Sequence, residues 1–137
     1  MYIAIHTTTN SKRHANKIAR LLLEEELCAC AQISKIQSLY IWEEKICEHK
    51  EFLLQIKSRA EHFKQIARII KQHHNYQTPQ IISLPIDNVE SAYEDWLKGA
   101  LANKIASHTQ KKNPKKPNPK SNQAKKPKAQ SKLAKKG

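Results

Sequence analysis

The sequence predicts an α+β chain in which two strand–helix–strand halves follow one another. Three observations point there. β-branched and aromatic runs alternate with segments whose apolar residues recur at helical spacing. One pair of extended runs is unusually long and is joined by only two residues, which predicts a long β-hairpin. The charge is confined to one end. Up to Leu97 twelve Lys/Arg balance twelve Asp/Glu, whereas from Lys98 onward thirteen lysines occur with no acidic residue. The net charge of +13 therefore belongs to the C-terminus.

Tyr2 to Thr9 reads as a strand. Asn10-Ser11 offers a cap, and Ala15, Ile18, Ala19 and Leu22 place an amphipathic helix over Lys12 to Glu26. Cys28 to Trp42 is extended again, and its length predicts a bend or bulge. After Glu43-Glu44, Lys45 to Arg59 is the returning strand. Ser58 with Glu61 has the pattern of a capping box, and Phe63, Ile66, Ala67 and Ile70 continue as a second helix ending near His73-His74-Asn75. Gln80 to Ile86 is a short strand that Pro85 places near an edge or an end. Ser91 with Glu94 is a further capping pair, opening a third helix whose apolar stripe includes Tyr93, Trp96, Leu97 and Leu101.

This order, βαββαβ with a C-terminal helix, is that of a ferredoxin-like sandwich. It gives a folded domain over residues 1–103. Residues 104–137, rich in Lys and Pro with few large aliphatics, bury too little apolar surface to offset ordering entropy and are expected to be a disordered basic tail. The N-terminal residues do not have the pattern of a signal peptide, and no apolar run has the length of a membrane-spanning segment. Three cysteines without disulfide spacing fit reduced thiols in the cytoplasm.

Three segments carry a resemblance to one family. They are Cys28-Ala29-Cys30-Ala31-Gln32-Ile33 at the start of the second strand, Ser38-Leu39-Tyr40-Ile41-Trp42-Glu43-Glu44-Lys45 at the hairpin tip, and His73-His74-Asn75-Tyr76-Gln77-Thr78-Pro79-Gln80 after the second helix. In order and spacing they resemble the CutA divalent-cation-tolerance proteins, over roughly residues 2 to 101. Three positions differ from the family pattern. Its usual glycine after Trp-Glu is Glu44 here, its proline after His-His is Asn75, and its glutamate after Thr-Pro is Gln80. The resemblance implies a homotrimer whose hairpins pair between subunits, similar to the PII signalling proteins. It also implies a role in response to metal ions, with copper or another divalent cation as the ligand and no attached enzymatic reaction.

The candidate site residues follow. Cys30 is the soft metal donor, with His73 and His74 as imidazole donors. Cys28 and Cys30, two apart on a strand, are expected on one face, although small sheet-packing cysteines beside alanines fit the same residues. Cys47 and the remaining histidines lack ligand spacing. Tyr40, Trp42, Tyr76 and Gln80 are candidates for a small-ligand cleft between subunits, and the aromatics among them fit interface anchors as well. No Gly-rich phosphate loop and no activated-thiol pattern is present, so an enzyme is not expected. Two further partner classes stay open: a PII-like small ligand, and nonspecific polyanion contact through the lysines of the tail.

Overall fold

In the computed structural model, which describes residues 1–102, every long element sits where hydrophobic periodicity placed it. The elements are β1 (Tyr2–Thr9), α1 (Lys12–Glu24), β2 (Cys30–Trp42), β3 (Lys45–Arg59), α2 (Phe63–His73, after a short 3-10 turn at Ala60–His62), β4 (Ile82–Pro85) and α3 (Ser91–Ala102). The four strands pair antiparallel in the order β2-β3-β1-β4, the ferredoxin-like arrangement. β4, with Pro85, is an edge strand as expected.

Alternation of side chains divides the sheet into two faces. Ile3 and Ile5 on β1 and Leu54 and Ile56 on β3 point to one side, where Ile18 and Leu22 of α1 and Ile66 and Ile70 of α2 cover them. Each such residue contributes about 1.5–3 kcal/mol by leaving water, so this layer carries most of the stability. The opposite, open face carries Ala4, His6 and Thr8, then Glu51, Leu53, Gln55 and Lys57, with Cys30, Ser34, Ile36, Ser38 and Tyr40 of β2 beside them.

Four local expectations are corrected, and the hairpin tip shows how Glu44 stands in for the family glycine. β2 pairs β3 in one unbroken register from Cys30–Lys57 to Trp42–Lys45, so the expected bulge is absent. Ser58 is no cap: it is buried at the end of β3 and its hydroxyl donates to the Leu27 carbonyl at 2.6 Å. α3 is capped by Glu90, whose carboxylate accepts from the Tyr93 amide at 2.9 Å, rather than by Ser91. α1 ends two residues early in a Schellman turn. There Leu27 N–H donates to Leu22 O at 3.0 Å and Glu26 N–H to Leu23 O at 2.9 Å, with Glu26 at φ 55°. Finally, the two-residue hairpin turn forms without glycine, with Glu43 and Glu44 both left-handed at φ 50° and 62°.

The hairpin outruns the sheet. β1 stops at Thr9, opposite Phe52, so Lys45 to Glu51 and their β2 partners continue as a two-stranded arm. At about 3.3 Å per residue the arm reaches about 20 Å beyond the third strand. The predicted tail, residues 104–137, lies outside the described residues.

Candidate functional site

The open face is polar at the base of the arm. Glu51 is only 8% exposed. One of its carboxylate oxygens accepts the Ser38 hydroxyl at 2.7 Å, the other the Tyr76 hydroxyl at 2.6 Å. Tyr76 reaches this face because the segment after α2 folds over the end of β1. His74 fixes that path. The Tyr76 amide donates to His74 Nδ1 at 3.0 Å, which leaves the ring proton on Nε2, and Nε2 donates to the Thr8 carbonyl at 2.8 Å. Burial lowers the His74 pKa, partly opposed by its bond to Thr8, so the imidazole is held neutral. Burial, then the hydrogen bond to Glu51, raises the Tyr76 phenol well above its usual range. Further along the arm the Tyr40 hydroxyl and His49 Nδ1 are 2.6 Å apart.

The sequence-predicted ligands do not assemble within one chain. Cys30 lies opposite Lys57, and Thr8, which holds His74, lies opposite Leu53. Four residues along β3 separate these positions by about 13 Å. Both His74 nitrogens are engaged, and His73 is half-buried at the end of α2. Among the described residues, no group of three or more His, Cys, Asp or Glu side chains is placed to hold a metal ion. Cys30, His73 and His74 therefore do not fit a metal centre inside a single subunit. Nor do Cys28 and Cys30 share a face. β2 begins at Cys30, and Cys28 sits in the preceding loop within the helix-side core, its thiol pushed up to about 12 chiefly by burial. Cys30 takes the open face, near Tyr93 of α3, whose phenol is raised by burial first and by Cys30 second.

Of the predicted cleft residues, Tyr40 and Tyr76 come together near Glu51, whose charge is felt by both. Trp42, six residues along β2 from Ile36 (the residue opposite Glu51), is about 20 Å away in the same chain. Gln80 is exposed. Asn75, in place of the family proline, ties the loop down by donating to Asn10 Oδ1 at 3.1 Å. Sequence reasoning missed Glu51 and Ser38. The signal was available: period-two alternation puts Glu51 on the same face as Leu53 and Gln55, and a carboxylate there needs donors. Chemically, the cluster offers a shielded carboxylate ringed by hydroxyls and aromatic edges, with no nucleophile poised beside a base.

The family model described as CutA1 divalent ion tolerance protein matches residues 3–100. The divalent-cation tolerance protein CutA of Archaeoglobus fulgidus is 37% identical over 97 residues, covering 71% of this chain and 95% of that protein. The solved structure of that organism's periplasmic divalent cation tolerance protein CutA superposes with a TM-score of 0.71 at 36% identity, over 74% of this chain and 99% of that one. CutA1 from Oryza sativa gives 0.70 at 32% identity, over 74% of this chain and 94% of that one.

Proposed function

The chain belongs to the CutA1 family of divalent ion tolerance proteins, and on that premise we propose that it serves cation tolerance as a non-catalytic homotrimer. One observation carries this reading: the arm is apolar on both sides. Leu39, Ile41 and Ile46 crowd one side, Ile41 and Ile46 being 74% and 76% exposed, and Trp42 stands 60% exposed on the other. Beyond Thr9 the β3 edge of the arm also lacks its β1 neighbour. Exposed apolar strand surface with a free edge is an association surface. A second copy has matching chemistry, and closed symmetry makes the contact repeat.

Copper or another divalent cation then meets donors from more than one subunit, with Cys30 the soft donor that each copy brings. A reducing, cytoplasmic setting suits the three free thiols. Among the described residues no helix is long and apolar enough to cross a membrane. Mass measurement by light scattering on the full chain tests the assembly. Three times 15.8 kDa is expected, and Ile41→Glu with Ile46→Glu should yield monomers. A monomeric wild type sinks the reading. Calorimetric titration with copper and zinc tests the ion: uptake at a fixed ratio per trimer, lost in Cys30→Ala, is expected.

A second reading rests on Glu51. The Ser38–Glu51–Tyr76 cluster lies at the root of the arm, where subunits would meet, and suits a small ligand recognised as in PII-like signalling modules. Ligand uptake by the trimer that survives Cys30→Ala but is lost in Glu51→Gln would favour it over metal binding.

A further inference from the structure

The neutral balance of the folded part hides a strong polarity that only the fold reveals. α1 carries Lys12, Arg13, Lys17 and Arg20, all exposed, and its one acid is Glu24 at its last position. α2 carries Lys64, Arg68 and Lys71, all exposed, and no acid. Most of the compensating acids lie elsewhere, Glu43, Glu44 and Glu48 on the arm and Asp87, Glu90, Glu94 and Asp95 at and before the start of α3, while Glu25 and Glu26 follow α1 and Glu61 precedes α2 at the platform's ends. We infer that the outward faces of α1 and α2 form a basic platform that docks the phosphate backbone of a nucleic-acid duplex without reading its sequence.

Geometry supports this in three ways. Arg13, Lys17 and Arg20 are spaced i, i+4, i+7, and Lys64, Arg68 and Lys71 repeat that spacing, so each helix bears one straight stripe about 10 Å long. The two helices pack side by side on the sheet, which sets the stripes about 8–10 Å apart, within reach of backbones flanking a groove. Lys64, Arg68 and Lys71 also line a shallow groove with Phe63 and Ala67. Second, the cations stand where helix stability disfavours them. α1 has no acid in its first turn, and Lys12 and Arg13 oppose the positive end of its dipole; Lys64 stands at the same place in α2, where Glu61 of the preceding 3-10 turn is its acidic neighbour. A bound phosphate reverses that penalty. Third, the platform lacks what other polyanions want. α1 has no Phe, Tyr or Trp and α2 only the half-buried Phe63, and His14 and His73 are half-buried too, so unpaired bases find little stacking surface. The exposed large apolar residue of this layer is Leu23, next to Glu24 and Glu25, and an acidic tip is unsuited to entering an anionic membrane.

The test uses the full chain with a short labelled duplex of arbitrary sequence as probe. Its affinity is followed by fluorescence anisotropy from roughly 50 to 200 mM salt. R13Q/K17Q/R68Q/K71Q is compared with wild type and with the tail variant K111Q/K112Q/K115Q/K116Q. Losing four phosphate contacts should lower the slope of log affinity against log salt by about 3 to 4. Arg13→Lys with Arg68→Lys, which keeps the charge, should keep most of the slope. Single strands should bind more weakly than the duplex. The inference is overturned if the platform variant keeps the wild-type slope while the tail variant loses it. It is equally overturned if phosphatidylserine vesicles bind the platform and the duplex does not. Should the fourfold variant not fold, acetylation footprinting of the wild type decides. Duplex must protect Lys17, Lys64 and Lys71, and unprotected lysines there refute the platform.

Discussion

Raising the pH should expose the burial of Cys28, and the size of the effect follows from its environment. The Cys28 side chain packs in the helix-side core, where burial favours the neutral thiol and moves its pKa from 9.0 to about 12. A pKa raised by folding gives stability that is complete below the unfolded value and is lost as pH climbs towards the folded one. Each pH unit between the two values therefore removes about 1.4 kcal/mol, and by about pH 10.5 the wild type has lost about 2 kcal/mol through this one group. Cys28→Ala has no thiol to titrate. At pH 7 it should be the less stable protein by about 1 kcal/mol, for the lost buried sulfur. Urea unfolding at fixed protein concentration, followed by tryptophan fluorescence, measures both proteins at pH 7, 9 and about 10.5. Other alkaline groups cancel in the difference, so the variant should draw level with the wild type and pass it. A gap unchanged from pH 7 to about 10.5 would refute the reasoning and place the sulfur in contact with water.

Other consequences can be measured on the same unfolding curves. Glu26→Gly and Glu44→Gly each replace a left-handed glutamate with the residue that tolerates that geometry, and each should stabilise the protein by about 0.5–1 kcal/mol; a loss at either position contradicts the assigned turn. Tyr76→Phe removes one of the two hydroxyls that Glu51 accepts from and should cost about 1.5 kcal/mol or more, whereas an unchanged midpoint would mean that water satisfies the carboxylate equally well. His74 has a lowered pKa, so its contribution is complete above its unfolded value of about 6.5 and is lost as pH falls from there through the lower folded value. In His74→Gln the decline of stability on acidification should be shallower, and an identical acid profile would show the ring to be free in the fold.

Most of the architecture was readable because it rests on period and burial. The 3.6-residue stripe of Ala15, Ile18 and Leu22 and the alternation through Leu54 and Ile56 both answer to one core, so α1 and β3 were placed closely. Competition between local and tertiary bonds defeated the rest. Ser58 has the sequence of a cap, but its hydroxyl instead donates to the Leu27 carbonyl. The bulge was inferred from length alone, whereas a hairpin extending past its sheet has no third strand to force one. For the site, the residue types were legible and their meeting was not. Cys30 and His74 occur in the first and third of the family motifs and lie at different heights on the sheet. Glu51, inconspicuous in sequence, is the group around which Ser38 and Tyr76 converge.

The unbroken ladder between β2 and β3 also bears on the order in which the molecule forms. Its strands are joined by Glu43 and Glu44 alone, so the ladder closes from a local contact, on a timescale of about 1–10 μs for hairpins generally. β1 meets β3 only by bringing Thr9 to Phe52, with α1 and all of β2 looped out between them, a far slower closure. The arm therefore has the more local closure of the two, although a two-stranded ladder alone is only marginally stable until β1 and the helices pack on its base. In the proposed trimer, the surface that copies would share is thus the part of the sheet that closes by local contacts, while the core beneath α1 and α2 closes by distant ones.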